Sequence, residues 1–120
     1  MDTPPLSILV IDADGASRAY LAANFERNGY QVFTASSGRE GLVVAWQNLP
    51  RVIIVDPALP DLPADEFISR LRQDRRTAKV PCIALSERGS EELAAGWRTS
   101  GFNDFLPKSS EMLPTLLQMV

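Results

Sequence analysis

Five stretches of the chain are almost wholly apolar, and polar or glycine- and proline-bearing segments separate them. They are Leu6 to Asp12, Tyr30 to Ala35, Val52 to Asp56, Val80 to Ser86 and Phe102 to Pro107. The first and third, Ile-Leu-Val-Ile-Asp (8–12) and Val-Ile-Ile-Val-Asp (52–56), do not alternate with polar residues. Such runs read as strands buried on both faces, as in a parallel sheet. Between them the apolar positions recur one helical turn apart. A first helix opens at Gly15-Ala16-Ser17, buries Leu21 and Phe25, and stops at Asn28-Gly29. Its Arg18, Glu26 and Arg27 are left for solvent. Arg39 to Leu49 forms a second helix ended by Pro50, and Asp65 to Asp74 a third with Phe67 and Leu71 facing the core. Ser90 to Ser100 forms a fourth, stopped by Gly101. Ser109 or Ser110 caps a fifth, running through Met119, with Pro114 early enough that its missing N–H is tolerable. Five strand–helix repeats with short connections predict a parallel sheet covered by helices on both faces. The expected strand order is 2-1-3-4-5.

In a parallel sheet all strand ends of one sense share one rim, and open α/β folds place their sites there. Strand one ends in Asp12, with Asp14 two residues on. Strand three ends in Asp56, which Pro57 and Pro60 prevent from continuing. Strand four ends in Ser86, and strand five leads through Pro107 into Lys108. Clustered carboxylates repel by about 1–4 kcal/mol per pair at about 4 Å, and a Mg²⁺ ion would relieve that repulsion. A lysine and a serine beside them suit phosphoryl oxygens, and an aspartate can itself become an aspartyl phosphate.

Composition narrows the field. The chain has 120 residues, 45% apolar and 22% charged, which suits one folded domain and neither disorder nor a membrane span. The organisation expected is a short tail at 1–5 followed by one domain at 6–120. Met1-Asp2-Thr3-Pro4-Pro5 has no apolar signal region, so a cytoplasmic location is expected. A formal charge of −3 without a basic run argues against direct nucleic-acid binding. The absence of histidine removes the commonest general base and zinc ligand. The lone Cys82 reads as a small buried hydrophobe.

With these residues in place, the chain resembles the receiver domain of two-component response regulators. The resemblance covers Leu6 to Met119 and rests on four motifs: Ile-Leu-Val-Ile-Asp (8–12), Asp-x-x-x-Pro (56–60), Pro-Cys-Ile-Ala-Leu-Ser (81–86) and Gly-Phe-Asn-Asp-Phe-Leu-Pro-Lys (101–108). It implies a flavodoxin-like, doubly wound fold of five strands and five helices. It implies Asp56 as phosphoryl acceptor from a histidine kinase or phosphotransfer protein. Mg²⁺ would be held by Asp12, Asp56 and the main-chain carbonyl of Ala58, with Asp14 a further candidate that also suits a helix cap. Ser86 and Lys108 would hold the phosphoryl group, and Phe105 would turn inward when Ser86 moves. The signal would leave through the face of the fourth helix, fifth strand and fifth helix, which carries Trp97 and Phe105. That face could also form a homodimer, and an output domain could follow residue 120.

Three positions depart from the family, all on the active rim. Ala13 stands where a second acidic residue usually ligates the metal. Glu87 stands where a small residue usually admits the phosphate, with Arg88 beside it to offset the charge. Ser109 stands where proline usually follows the lysine. Two readings therefore remain open: a phosphoacceptor switch, which is no classical enzyme, and a pseudo-receiver that binds partners without phosphorylation. A flavin- or nucleotide-binding domain is a third, disfavoured because glycine-rich phosphate loops are absent after strands one and three.

Overall fold

The structure is a computed structural model that describes residues 6–87, 101–109 and 112–120. The five strands are β1 (Ser7–Ile11), β2 (Gln31–Ala35), β3 (Val52–Val55), β4 (Cys82–Ser86) and β5 (Asp104–Pro107). They form one parallel sheet in the order β2-β1-β3-β4-β5, the flavodoxin-like arrangement. The helices are α1 (Gly15–Arg27), α2 (Gly38–Asn48), α3 (Ala64–Gln73) and a C-terminal helix, Met112–Met119. The described residues thus hold four helices rather than the five expected. The expected fourth helix, with Trp97, lies outside the described residues, as do Arg88 and Ser110.

Burial explains why the strands read as unbroken apolar runs. Ile8 and Val10 of β1 and Val52 and Ile54 of β3 pack on one side with Leu21 and Phe25 of α1 and Leu116 of the C-terminal helix. Leu9, Ile11, Ile53 and Val55 pack on the other with Leu42 and Ala45 of α2 and Phe67, Ile68 and Leu71 of α3. β1 and β3 therefore each feed two apolar layers, which leaves no room for polar alternation in them. Helix α2 crosses β1 so closely that any side chain at Gly41 would run into Ile11.

Local hydrogen bonds set the boundaries. Asp14 caps α1 by accepting from the Ser17 N–H, and Ser37 caps α2 by accepting from the Glu40 N–H. β1 stops at Ile11, so Asp12 stands just beyond it. β5 begins at Asp104 rather than Phe102 because the Asn103 side-chain oxygen, 2.8 Å away, takes the Cys82 N–H. Cys82 is fully buried, and that burial pushes its thiol up to about 12, so it packs as a hydrophobe. Among the described residues, no helix is long and apolar enough to cross a membrane.

Candidate functional site

Asp12, Asp56 and Lys108 meet at the carboxyl rim of the sheet although Lys108 is 96 and 52 positions from its two partners. Each is fixed by the backbone next to it. The Asp12 N–H donates to Ala35 O of β2, the Asp56 N–H to Ile11 O of β1, and the Lys108 N–H to Ser86 O of β4. Sheet pairing thereby carries three chain segments to one point.

The two carboxylates have matching surroundings. Asp12 Oδ1 accepts from the Asp14 N–H at 2.9 Å, and Asp56 Oδ1 accepts from the Ala58 N–H at 2.9 Å. Both are side-chain turns of the kind aspartate makes two residues ahead of itself. The second oxygen of each accepts from the Lys108 ammonium, at 2.8 Å for Asp12 and 2.7 Å for Asp56. The three side chains are 3%, 14% and 9% exposed, in the order Asp12, Asp56, Lys108, so Asp56 is the more accessible carboxylate. Burial alone would lower the Lys108 pKa. The hydrogen bonds and charges of Asp12 and Asp56 outweigh it and hold the ammonium above the ordinary lysine value. The sign follows: Lys108 is charged at neutral pH, and its contribution fades only as pH rises through that elevated value.

One ammonium set against two carboxylates leaves this trio net anionic. Oxygen donors of this kind fit a hard divalent cation. Asp14 does not join them, because its carboxylate faces the start of α1. Among the described residues, no group of three acidic, cysteine or histidine side chains converges as a metal cluster. Ala13 is exposed on the rim, and Ala58 is exposed beside Asp56. Ser86 is buried at the end of β4, opposite Pro107 of β5. Glu87, next to it, is exposed. Phe105 is half-buried, pairs with Ala84 and packs against the α2–α3 layer. The Lys108–Ser109 peptide is trans.

Two further residues shape the rim, and no sequence pattern points to them. Arg18, expected in solvent, is half-buried and donates to the Asp12 main-chain carbonyl at 2.7 Å. Asp61, expected only as loop, accepts from the Gly38 and Arg39 N–H groups at 2.8 and 2.9 Å. It ties the loop that follows Asp56 to the first turn of α2. Burial would raise its carboxyl, but those two N–H groups and Arg39 hold it below the usual carboxylate range. A bond that spans twenty-two or twenty-three positions leaves no local pattern to read.

Comparisons with known proteins bear on the family and the fold. A family model described as the response regulator receiver domain matches residues 8–120. An uncharacterized 14.6 kDa protein of Leptolyngbya boryana is 33% identical over 108 residues, covering 90% of this chain and 82% of that one. The DNA-binding dual master transcriptional regulator RpaA of Synechocystis is 36% identical over 101 residues, covering 84% of this chain and 42% of the regulator. The chain thus spans less than half the length of that regulator. The solved structure of the chemotaxis response regulator CheY4 of Vibrio cholerae superposes with a TM-score of 0.89 at 26% identity, covering 98% of this chain and 100% of that one.

Proposed function

The chain belongs to the response regulator receiver domain family, and from that premise we propose that it is a phosphoacceptor switch with Asp56 as the acceptor. The observation that carries this reading is the single ammonium of Lys108 shared by Asp12 and Asp56. It gives one point on the rim a nucleophilic carboxylate, a second carboxylate and a cation. In the proposed reaction a phosphohistidine of a kinase or phosphotransfer protein loses its P–N bond. A P–O bond forms to an Asp56 carboxylate oxygen, and the imidazole leaves. The more exposed of the two carboxylates is the one an incoming donor can reach. Asp12, Asp56 and the Ala58 carbonyl would hold Mg²⁺, which when bound neutralises charge on the transferring group. Lys108 and the Ser86 hydroxyl would hold the phosphoryl oxygens, and Phe105 would report the change to the exposed side of β5. The domain acts as a signalling element in the cytoplasm, with at most self-catalysed transfer and hydrolysis. Its downstream partner would be an output domain beyond residue 120 or a separate protein.

The test uses a small phosphodonor. With acetyl phosphate and Mg²⁺, intact mass should show one added phosphoryl group, and Asp56→Asn should abolish it. A label that survives Asp56→Asn would defeat the assignment. Glu87 supplies a second prediction. An exposed carboxylate next to Ser86 repels an anionic donor, so Glu87→Ala should speed labelling roughly three- to tenfold. An unchanged or slower rate would mean that Glu87 does not crowd the approach.

The pseudo-receiver reading also has an observation behind it. Ala13 leaves one fewer carboxylate, and Lys108 already offsets much of the charge that a metal would offset. On that reading the rim is a closed internal ion-pair cluster and the surface binds a partner unmodified. Absence of any label at saturating Mg²⁺ would favour it.

A further inference from the structure

The amino edge of the sheet, opposite Asp56, carries a second feature that no phosphoacceptor role uses. An open groove of about 840 Å³ runs between the start of β1, the end of α2 and the loop before β4. Its walls include Arg51, Arg75, Arg76 and Lys79, and its apolar surface includes Leu6 and Leu49. Four cations gather here on a chain whose formal charge is −3. Arg76 is held by Asp74 at 2.8 Å and stacks on Trp46. Among the described residues, the side chains of Arg51, Arg75 and Lys79 have no ion-pair or hydrogen-bond partner.

A second, independent observation lies on the same groove. Leu49 has φ 49°, in the left-handed region, and is the only non-glycine residue with positive φ among the described residues. Outside glycine and asparagine that conformation is unfavourable. The fold gains little burial in return, because Leu49 is 54% exposed. Leu6, on the same groove, is 43% exposed. The left-handed turn itself ends α2, with the Leu49 N–H donating to Ala45 O, but a leucine there rather than glycine leaves an apolar side chain in water beside the cations.

We propose that this groove docks an acidic peptide segment of a partner protein, with its carboxylates on Arg51, Arg75 and Lys79 and its apolar side chains on Leu6 and Leu49. Charge complementarity selects the acidic partner, and the exposed leucines select apolar side chains within it. Nucleic acid fits less well, because no aromatic side chain lines the groove to stack a base. This inference goes beyond the phosphoacceptor reading and does not depend on it.

Fluorescence anisotropy tests it with the full chain and a labelled synthetic peptide repeating Glu-Glu-Leu. The same peptide with serine for leucine, and a labelled oligothymidine, are the comparisons. The Glu-Glu-Leu peptide should bind at low salt and be released by added salt. Arg75→Glu combined with Lys79→Glu should weaken it about tenfold or more. Leu49→Asn suits the left-handed backbone, so it should weaken binding about threefold or more with no loss of melting temperature. No binding at low salt, affinity unchanged in both variants, or equal binding of the serine peptide would overturn the proposal. Oligothymidine binding as tightly at the same residues would replace the peptide with nucleic acid and also overturn it.

Discussion

Replacing Ala13 with aspartate is expected to strengthen Mg²⁺ binding at least tenfold and to raise the rate of Asp56 labelling with it. The reasoning starts from charge. Unit charges about 4 Å apart interact by about 1–4 kcal/mol between water and a protein surface, which is roughly ten- to a thousandfold in affinity. Mg²⁺ also demands near-octahedral oxygen ligands at short range, so each ligand counts. Ala13 follows Asp12 directly and is exposed on the rim, so a carboxylate there has room. Asp14 does not supply the missing ligand, because its side chain caps α1. Asp14→Ala should therefore leave Mg²⁺ affinity nearly unchanged while costing about 1 kcal/mol of stability through the lost cap. Calorimetric titration of wild type and both variants measures all three affinities. If wild type binds as tightly as Ala13→Asp, and Asp14→Ala abolishes that binding, Asp14 has moved to the metal and this account of the rim is wrong.

Arg72→Ala is expected to lower the melting temperature by roughly 10–20 °C, corresponding to about 2–4 kcal/mol in a domain of this size. The Arg72 guanidinium makes six hydrogen bonds to described residues. Its guanidinium donates to Thr77 O at 3.1 Å, Ala78 O at 3.3 Å and Val80 O at 2.6 Å, all in the segment leading to β4. It also donates to Gly101 O at 3.0 and 3.1 Å and to Asn103 Oδ1 at 2.7 Å, just before β5. Asn103 Oδ1 in turn accepts the Cys82 N–H, so one cation fastens α3 to the start of two strands. Truncation removes this donor from four main-chain carbonyls, of which Thr77 O keeps the Val80 N–H, and a buried acceptor that loses its donor is the costly case. Arg72→Lys keeps the charge but not the planar fork, and should recover less than about half of the loss. A shift under about 3 °C for Arg72→Ala, measured by thermal melting, would show that water replaces the guanidinium without penalty.

The contrast between these two residues shows what the sequence could and could not reveal. The sheet was legible because burial on both faces forces an apolar run, and an aspartate after such a run is visible without a structure. Asp12, Asp56, Ser86 and Lys108 follow directly, since parallel strands bring their ends to one rim. The two roles open to Asp14 could not be separated, because capping and metal binding want the same side chain in the same segment. Arg18, Asp61 and Arg72 were not legible as parts of networks. The Arg18 acceptor is a main-chain carbonyl, which every residue has. The Asp61 donors are main-chain N–H groups more than twenty positions away. The strand boundary at Asp104 was misplaced for a related reason: an asparagine side chain takes a backbone N–H, which no periodicity records. Leu49 looks in the sequence like any helix end, and it is one; only its backbone angle and exposure are unusual for a leucine.

The measurement that bears most directly on the central claim is chemical trapping of the acyl phosphate. Protein labelled with acetyl phosphate is reduced with borohydride, which converts an aspartyl phosphate to homoserine, and digested for tandem mass spectrometry. The account predicts homoserine at position 56, at no other aspartate, and only when Mg²⁺ is present during labelling. Homoserine at Asp12 or another aspartate, or none at all at saturating Mg²⁺, would contradict it.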